Sequence, residues 1–97
     1  MNSVFKYFIK ITDDQTIKIP LLHGLSLKDS VLKIDTQYEI PCMWVMVEDE
    51  NKPVECKIFI RGTGHSCDSI FTKPDTYLGS FQLQDGRFVM HVFGVIK

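Results

Sequence analysis

Residues 42–47 read Cys-Met-Trp-Val-Met-Val, and residues 54–60 read Val-Glu-Cys-Lys-Ile-Phe-Ile. The first run is apolar at every position, which is typical of a strand that is covered on both faces in the middle of a sheet. The second run alternates, with apolar residues at the even-numbered positions, which is typical of a half-buried strand. The charged tract around Asn51 is interpreted as the tip of a hairpin, so the two runs are predicted to be neighbouring strands.

The amino-terminal third of the chain carries the same alternation. Residues 4–11 place apolar side chains at the odd-numbered positions, and residues 15–19 alternate again after the turn-forming pair Asp13-Asp14. These two segments are predicted to form a hairpin. Residues 26–29 fit the start of a single helical turn, but the apolar spacing from Leu27 onward also fits a strand that runs to about residue 36, and the strand is favoured.

Two strand-like runs close the sequence. Residues 77–83 and 87–95 are separated by a segment containing Asp85-Gly86, a strong hairpin signal. Strand patterns recur along the whole chain, and no window shows an amphipathic helix. We therefore predict an all-β fold: a small antiparallel sandwich or barrel of about six or seven strands, in a single β domain over residues 1–97.

Composition excludes several classes of function. The chain carries 11 basic and 12 acidic residues with no dense basic run, which disfavours nonspecific nucleic-acid binding. No apolar stretch approaches the roughly 18 residues of a membrane span, and the amino terminus does not resemble a secretory signal, so a cytoplasmic location is predicted. Three irregularly spaced cysteines fit reduced thiols better than a disulfide framework.

The segment Arg61-Gly62-Thr63-Gly64-His65 is the most suggestive local feature. Two glycines separated by one residue can take positive φ and present successive backbone N–H groups to an anion, with the three polar side chains as neighbours. A phosphate or an acidic side chain is the expected ligand. The alternative is a tight turn that leaves a strand, because the segment lacks the third glycine and the lysine of nucleotide-binding loops.

A long loop is predicted over residues 62–74, where periodicity is lost and glycine, serine and proline accumulate. A loop of this length in a small domain is a candidate binding element, and Phe71 and Tyr77 are the aromatic residues expected to serve it. His91 alternates with apolar residues on the last strand and is interpreted as a histidine satisfied by the backbone.

The residues do not form a recognisable catalytic or metal-binding motif. A nucleophilic pairing of Cys67 with His65 or His91 has no oxyanion-forming motif beside it, so no enzymatic activity is predicted. His65 and Cys67 with another cysteine lack the paired knuckle spacing of zinc sites, so neither a metal nor a cofactor is expected.

The chain resembles a family of small uncharacterised proteins encoded by bacteriophages and prophages. The resemblance is carried by the segments ITDDQTI (11–17), PCMWV (41–45), GTGH (62–65), YLGSFQ (77–82) and HVF (91–93). It implies a context and no established activity, because small phage proteins of this kind commonly occupy a surface of a host protein or sequester a ligand.

Three hypotheses follow from this resemblance and from the missing catalytic groups. The first is a non-enzymatic phage accessory protein that binds and inhibits a host component, a CRISPR or other defence protein, through an exposed strand edge or the 62–74 loop. The second is a sponge for a small phosphorylated or cyclic-nucleotide signal, bound by the Arg61–His65 segment. The third is a structural virion or assembly component. A homo-oligomer is also expected, formed by pairing a terminal strand across a two-fold axis.

Overall fold

Seven strands and one helical turn form the described part of the chain, residues 1–67 and 76–96 of a computed structural model. The strands are β1 (Asn2–Phe8), β2 (Asp14–Ile19), β3 (Val31–Gln37), β4 (Ile40–Glu48), β5 (Val54–Gly62), β6 (Tyr77–Leu83) and β7 (Phe88–Ile96), and the helical turn is α1 (Leu27–Ser30). They build two antiparallel sheets, one in the order β1-β4-β3 and the other in the order β2-β5-β7-β6. The predicted all-β, antiparallel architecture is confirmed.

The core lies between the two sheets and is filled by one parity of each strand. Val45 and Val47 of β4 face Ile58 of β5 and Val92 of β7, and all four are fully buried. The alternation read from residues 54–60 is thus the alternation between core and surface in β5. The apolar run at 42–47 is β4, which is the central strand of the three-stranded sheet, as predicted. Coverage on both faces is not found, because Trp44 and Met46 on its outer face are only half-buried.

Two predicted hairpins are wrong, because each pair of strands is divided between the sheets. β1 pairs with β4 and β2 pairs with β5, so residues 9–13 cross from one sheet to the other. The crossing is fixed at both ends: the Ile9 N–H donates to the Pro41 carbonyl (3.0 Å), and the Ile60 N–H donates to the Asp13 carbonyl (3.2 Å). The tract around Asn51 likewise connects β4 to β5 across the sandwich. Alternation predicts which face is buried and leaves the neighbouring strand undetermined.

The strand predicted to begin near Leu27 begins instead at Val31, after the helical turn. Ser26 caps this turn: its hydroxyl accepts a hydrogen bond from the Asp29 N–H at 3.1 Å, and its carbonyl accepts one from the Ser30 hydroxyl at 2.9 Å. The local capping chemistry prevails over the strand pattern here. Within the described ranges, no helix has the length and apolar character needed to cross a bilayer.

The carboxy-terminal hairpin of β6 and β7 is confirmed, with its turn at Gln84, Asp85 and Gly86. All three turn residues have positive φ (52°, 56° and 87°), which is the left-handed backbone expected of such turns. β3 and β4 form a second hairpin, whose turn residues Tyr38 and Glu39 also have positive φ.

One side of the sandwich is closed and the other is open. On the closed side β3 packs against β6, and a Cβ built on Gly79 would lie 3.1 Å from Cγ1 and 3.2 Å from Cβ of Ile34. β3 and β6 are also the last strands of their sheets, but they pack on each other. β1 and β2 end their sheets at the opposite side, where each pairs with one strand only and the described residues show no comparable packing between them. These two strands are therefore the free edges of the sandwich.

The three cysteines carry free thiols, and Cys56 lies within the core. Burial raises the pKa of the Cys56 thiol from 9.0 to about 11. Burial also raises the pKa of the Tyr7 phenol, and the charge on Cys56 adds to that effect. Both groups are therefore held in the neutral form in the folded protein.

We expect the free energy of unfolding to fall as the pH rises from 9 to 11. A group with a higher pKa in the folded chain stabilises the fold below its unfolded pKa and loses that contribution as the pH rises through the folded value. Denaturant unfolding across this range should show the loss, and Cys56→Ala should make the dependence shallower. If the unfolding free energy fell equally steeply with pH in the wild type and in Cys56→Ala, the fall could not be assigned to the Cys56 thiol.

Candidate functional site

Arg61 extends from the outer face of the four-stranded sheet, and its guanidinium is engaged within the protein. Nη1 donates to the carbonyl oxygens of Asp13 and Ile60, at 2.8 Å each, and lies 4.0 Å from the Asp13 carboxylate. The side chain is mostly buried. Arg61 therefore anchors the crossing between β1 and β2, and its charge is already partnered by Asp13.

Residues 62–65 form a tight turn at the end of β5. The His65 N–H donates to the Gly62 carbonyl (3.0 Å), and the Thr63 N–H donates to the Val89 carbonyl (3.1 Å). Gly64 has a φ of +88°, whereas Gly62 is the last residue of the strand, so only one of the two glycines takes the left-handed backbone expected of both. This geometry is that of the tight turn leaving a strand, the alternative interpretation of the segment. Anion binding by the same residues stays a prediction.

Gly62 leaves room for the His65 side chain, a relation that the sequence does not reveal. The His65 ring folds back over it, and a Cβ at this position would lie 2.8 Å from both Cε1 and Nδ1 of that ring. The absence of a side chain lets the imidazole pack on the strand end. His65 is consequently held beside the turn it closes.

His91 joins the turn to the start of β6 through two side-chain hydrogen bonds. Its Nε2 lies 2.8 Å from the Thr63 hydroxyl oxygen, and its Nδ1 lies 2.9 Å from the Tyr77 hydroxyl oxygen. Tyr77 also packs edge-on against Phe93, with 5.3 Å between ring centroids. The expectation of backbone partners for His91 is therefore corrected: it is satisfied by two hydroxyl groups.

The predicted site residues thus separate into two groups. Arg61 points to Asp13, while Thr63 and Tyr77 converge on His91, a residue that sequence reasoning did not include in the site. The parity of β7 places His91 on the same outer face as Arg61, its partner in the register, and this was the available signal. Phe71 lies outside the described residues. Among the described residues, no three His, Cys, Asp or Glu side chains are placed to hold a metal ion.

The outer face of the three-stranded sheet is a second candidate surface that sequence reasoning missed. We call it the apolar face, and its members are Val4, Lys6, Phe8, Lys33, Trp44 and Met46. Val4 is 50% and Phe8 is 61% exposed. Lys6 Nζ lies 5.0 Å from the Phe8 ring centroid, and Lys33 Nζ lies 5.9 Å from that of Trp44. The surface therefore combines exposed apolar side chains with two ammonium groups.

Among the described strands, only β4 pairs with β1, so backbone groups are left unpaired along the β1 edge, the side of the strand away from β4. The Ile9–Pro41 hydrogen bond and the register of β1 place its odd-numbered residues in hydrogen-bonded pairs with β4. The even-numbered residues direct their N–H and C=O groups to the open side: Asn2, Val4, Lys6 and Phe8.

The chain is an antiparallel β-sandwich with one closed and one open side, and a fold class of this kind does not determine a function. The chain belongs to a family described as a domain of unknown function, DUF7352, whose model matches residues 1–97. Comparison with curated proteins and with solved structures gives no match.

Proposed function

We propose that this protein is a non-enzymatic phage accessory protein that binds a host protein through the apolar face, and that this host protein belongs to a CRISPR or other antiviral defence system. The observation that carries the proposal is the exposure of Val4 and Phe8 beside Trp44 on a regular sheet surface. Inhibition follows if the bound surface is one that the defence protein needs for its own partner.

Exposed apolar side chains that cluster on one sheet face favour a binding surface. Phe8 and Val4 lie on the same face of β1, and their register partners on β4 are Cys42 and Met46. Isolated apolar residues on a surface are ordinary, but a contiguous group around an aromatic residue is characteristic of protein interfaces. These side chains stay exposed to water in the folded chain, so burying them against a partner would contribute favourable hydrophobic free energy to binding.

The two lysines of the apolar face favour a partner with carboxylates around an apolar centre. Lys6 and Lys33 place their ammonium groups near the Phe8 and Trp44 rings. The neighbouring carboxylate, Asp35, lies 3.3 Å from Lys33 Nζ, while Lys6 Nζ donates to Gln37 Oε1 at 2.7 Å. An acidic rim on the partner would complement Lys6 in particular, since its present acceptor is neutral.

The group around His91 supports a role without catalysis. Thr63, His91 and Tyr77 are arranged like a nucleophile, a base and an orienting group. The third group is a phenol and not the carboxylate that orients the base in a catalytic triad. The arrangement therefore joins the 62–65 turn to β6 more readily than it activates a hydroxyl.

The other hypotheses stay predictions. The sponge hypothesis needs Arg61, whose guanidinium is hydrogen-bonded to the Asp13 carbonyl, and the virion-component hypothesis needs no ligand. Binding through a strand edge or through the 62–74 loop, the two routes that the sequence suggested, also stays a prediction, and residues 68–74 of that loop lie outside the described residues. The apolar face adjoins the β1 edge.

The test is capture of a partner from infected cells followed by binding between purified proteins. A tagged wild-type protein should retain a defence protein, and the purified pair should bind and lose the activity of that protein. Phe8→Ala and Lys6→Glu should each raise the dissociation constant by about tenfold or more, the range of interface hot spots. Phe88→Ala is the matched control, because Phe88 is also exposed (48%) but lies on β7 of the other sheet.

A correctly folded wild type that binds no defence protein would overturn the proposal. The proposal would also be contradicted if Phe8→Ala left the dissociation constant unchanged while Phe88→Ala raised it. Thermal unfolding of each variant would separate a lost contact from a lost fold.

A further inference from the structure

β1 is the terminal strand with a free edge, because β7 is paired on both sides by β5 and β6. The even-numbered residues of β1 direct their backbone N–H and C=O groups away from β4. An edge of this kind can accept another strand by backbone hydrogen bonding alone. Which strand can pair with the β1 edge depends on the registers that the sequence of β1 permits.

The length of β1 suits pairing with a second copy of itself. The strand runs from Asn2 to Phe8, so Phe5 is its middle residue. In an antiparallel pair with full overlap, Asn2 lies opposite the second copy's Phe8, and Val4 lies opposite the second copy's Lys6. These are the residues whose backbone groups point outward, so full overlap is also the register that satisfies them.

We propose that two copies of this chain pair through β1 in that register, with a two-fold axis at Phe5, and join their three-stranded sheets into one continuous sheet of six strands. Lys6 then faces Val4 and meets no like charge across the axis. Phe5, which is 37% exposed at the open side of the sandwich, is covered by its own symmetry mate.

The second free edge is less suited to this role. The register and the Ile60–Asp13 hydrogen bond place the outward-directed backbone of β2 at Asp14, Thr16 and Lys18. Charged side chains on a strand edge disfavour addition of another strand. Asp14 is also engaged by Lys57, whose Nζ lies 3.8 Å from its carboxylate. We therefore choose β1 over β2 for two reasons. Its exposed residues are largely apolar, and its self-pairing register places no two like charges opposite each other.

Pairing at the β1 edge leaves the apolar face open and doubles it. The side chains of Val4, Phe8 and Trp44 lie on the outer surface of the sheet, while the pairing uses the backbone within the sheet. The joined sheet would present two equivalent apolar faces side by side. The dimer is thus independent of the proposed host partner and compatible with it.

The test is the oligomeric state of the purified full chain, measured by light scattering and native mass spectrometry. The wild type should be a dimer. Phe5→Glu and Phe5→Lys should each raise the dimer dissociation constant at least about tenfold, because the axis places two like charges opposite each other. An equimolar mixture of these two variants should restore a heterodimer with one copy of each, an effect that a simple loss of folding cannot produce.

Thr16→Glu is the matched control on β2 and should remain a dimer. In a Cys67→Ser background, Phe5→Cys should form a covalent dimer on mild oxidation, since residues at a non-hydrogen-bonded antiparallel pair are close enough for a disulfide. A monomeric wild type, a Phe5→Glu variant that stays dimeric, or a dimer disrupted by Thr16→Glu would each overturn the proposal. A monomer that still inhibits its host partner would overturn this inference alone, and a dimer that binds no host protein would overturn the proposed function alone.

Discussion

Gly79→Ala is expected to destabilise the fold by about 2–4 kcal/mol, because two costs add at this position. Gly79 has a φ of +153°, a backbone conformation that L-amino acids rarely adopt, and it lies at a bulge in β6. The new Cβ would also press on Cβ of Ile34, at 3.2 Å, where β3 closes on β6. Ile34 Cβ belongs to the branch point of its side chain and cannot swing away. Thermal unfolding should show a fall of at least about 8 °C.

Gly24→Ala separates the two costs. Gly24 also has a positive φ, of 81°, but a Cβ there would have no heavy atom within 4 Å outside its neighbours. Only the backbone cost applies, so a loss of about 1 kcal/mol is expected. Equal losses in the two variants would show that the contact with Ile34 contributes nothing, and would contradict the close packing of β3 on β6.

Phe81→Ala is expected to cost about 3–5 kcal/mol, a large share of the roughly 5–15 kcal/mol of stability that folded domains usually have. Among the described residues, Phe81 is the largest of the fully buried side chains, and it extends from β6 into the core between the sheets. Removing its ring loses the transfer free energy and leaves a cavity that the surrounding strands cannot fill. Denaturant unfolding at neutral pH measures the loss.

Phe88→Ala provides the comparison, since Phe88 begins β7 and is 48% exposed. Its loss should stay within about 1 kcal/mol, the range of most surface substitutions. Similar losses at Phe81 and Phe88 would contradict the assignment of Phe81 to the core.

The positions of most strands were predictable from the sequence, whereas two of the strand pairings were not: β1 was expected beside β2, and β4 beside β5. The alternation in residues 54–60 gave the buried face of β5, and Asp85-Gly86 gave the β6–β7 hairpin, because both signals are local. The connection at Asp13-Asp14 has the chemistry of a hairpin turn but crosses between sheets. Turn residues permit a reversal of the chain, and the packing of the two layers decides which strand lies next to which.

The candidate site was predictable only in part for the same reason. The Arg61–His65 segment was found from its composition, but the partners of Arg61 and Thr63 lie at Asp13 and His91, which only the strand pairing brings near. The apolar face was missed because Phe8 and Trp44 are separated by more than thirty positions in the sequence. Their proximity exists only once β1 has joined β4.

The division of consecutive strands between the two sheets has a consequence for how the protein folds. β1 cannot pair with the segment that follows it and must wait for β4, so that Asn2 finds Glu48 across the chain. β2 must likewise wait for β5. Closing such long segments costs entropy before any contact rewards it, which places the folding time of such topologies at about milliseconds to seconds. During that time the apolar residues of β1 are exposed along its whole length, and the newly made chain is at its most vulnerable to aggregation.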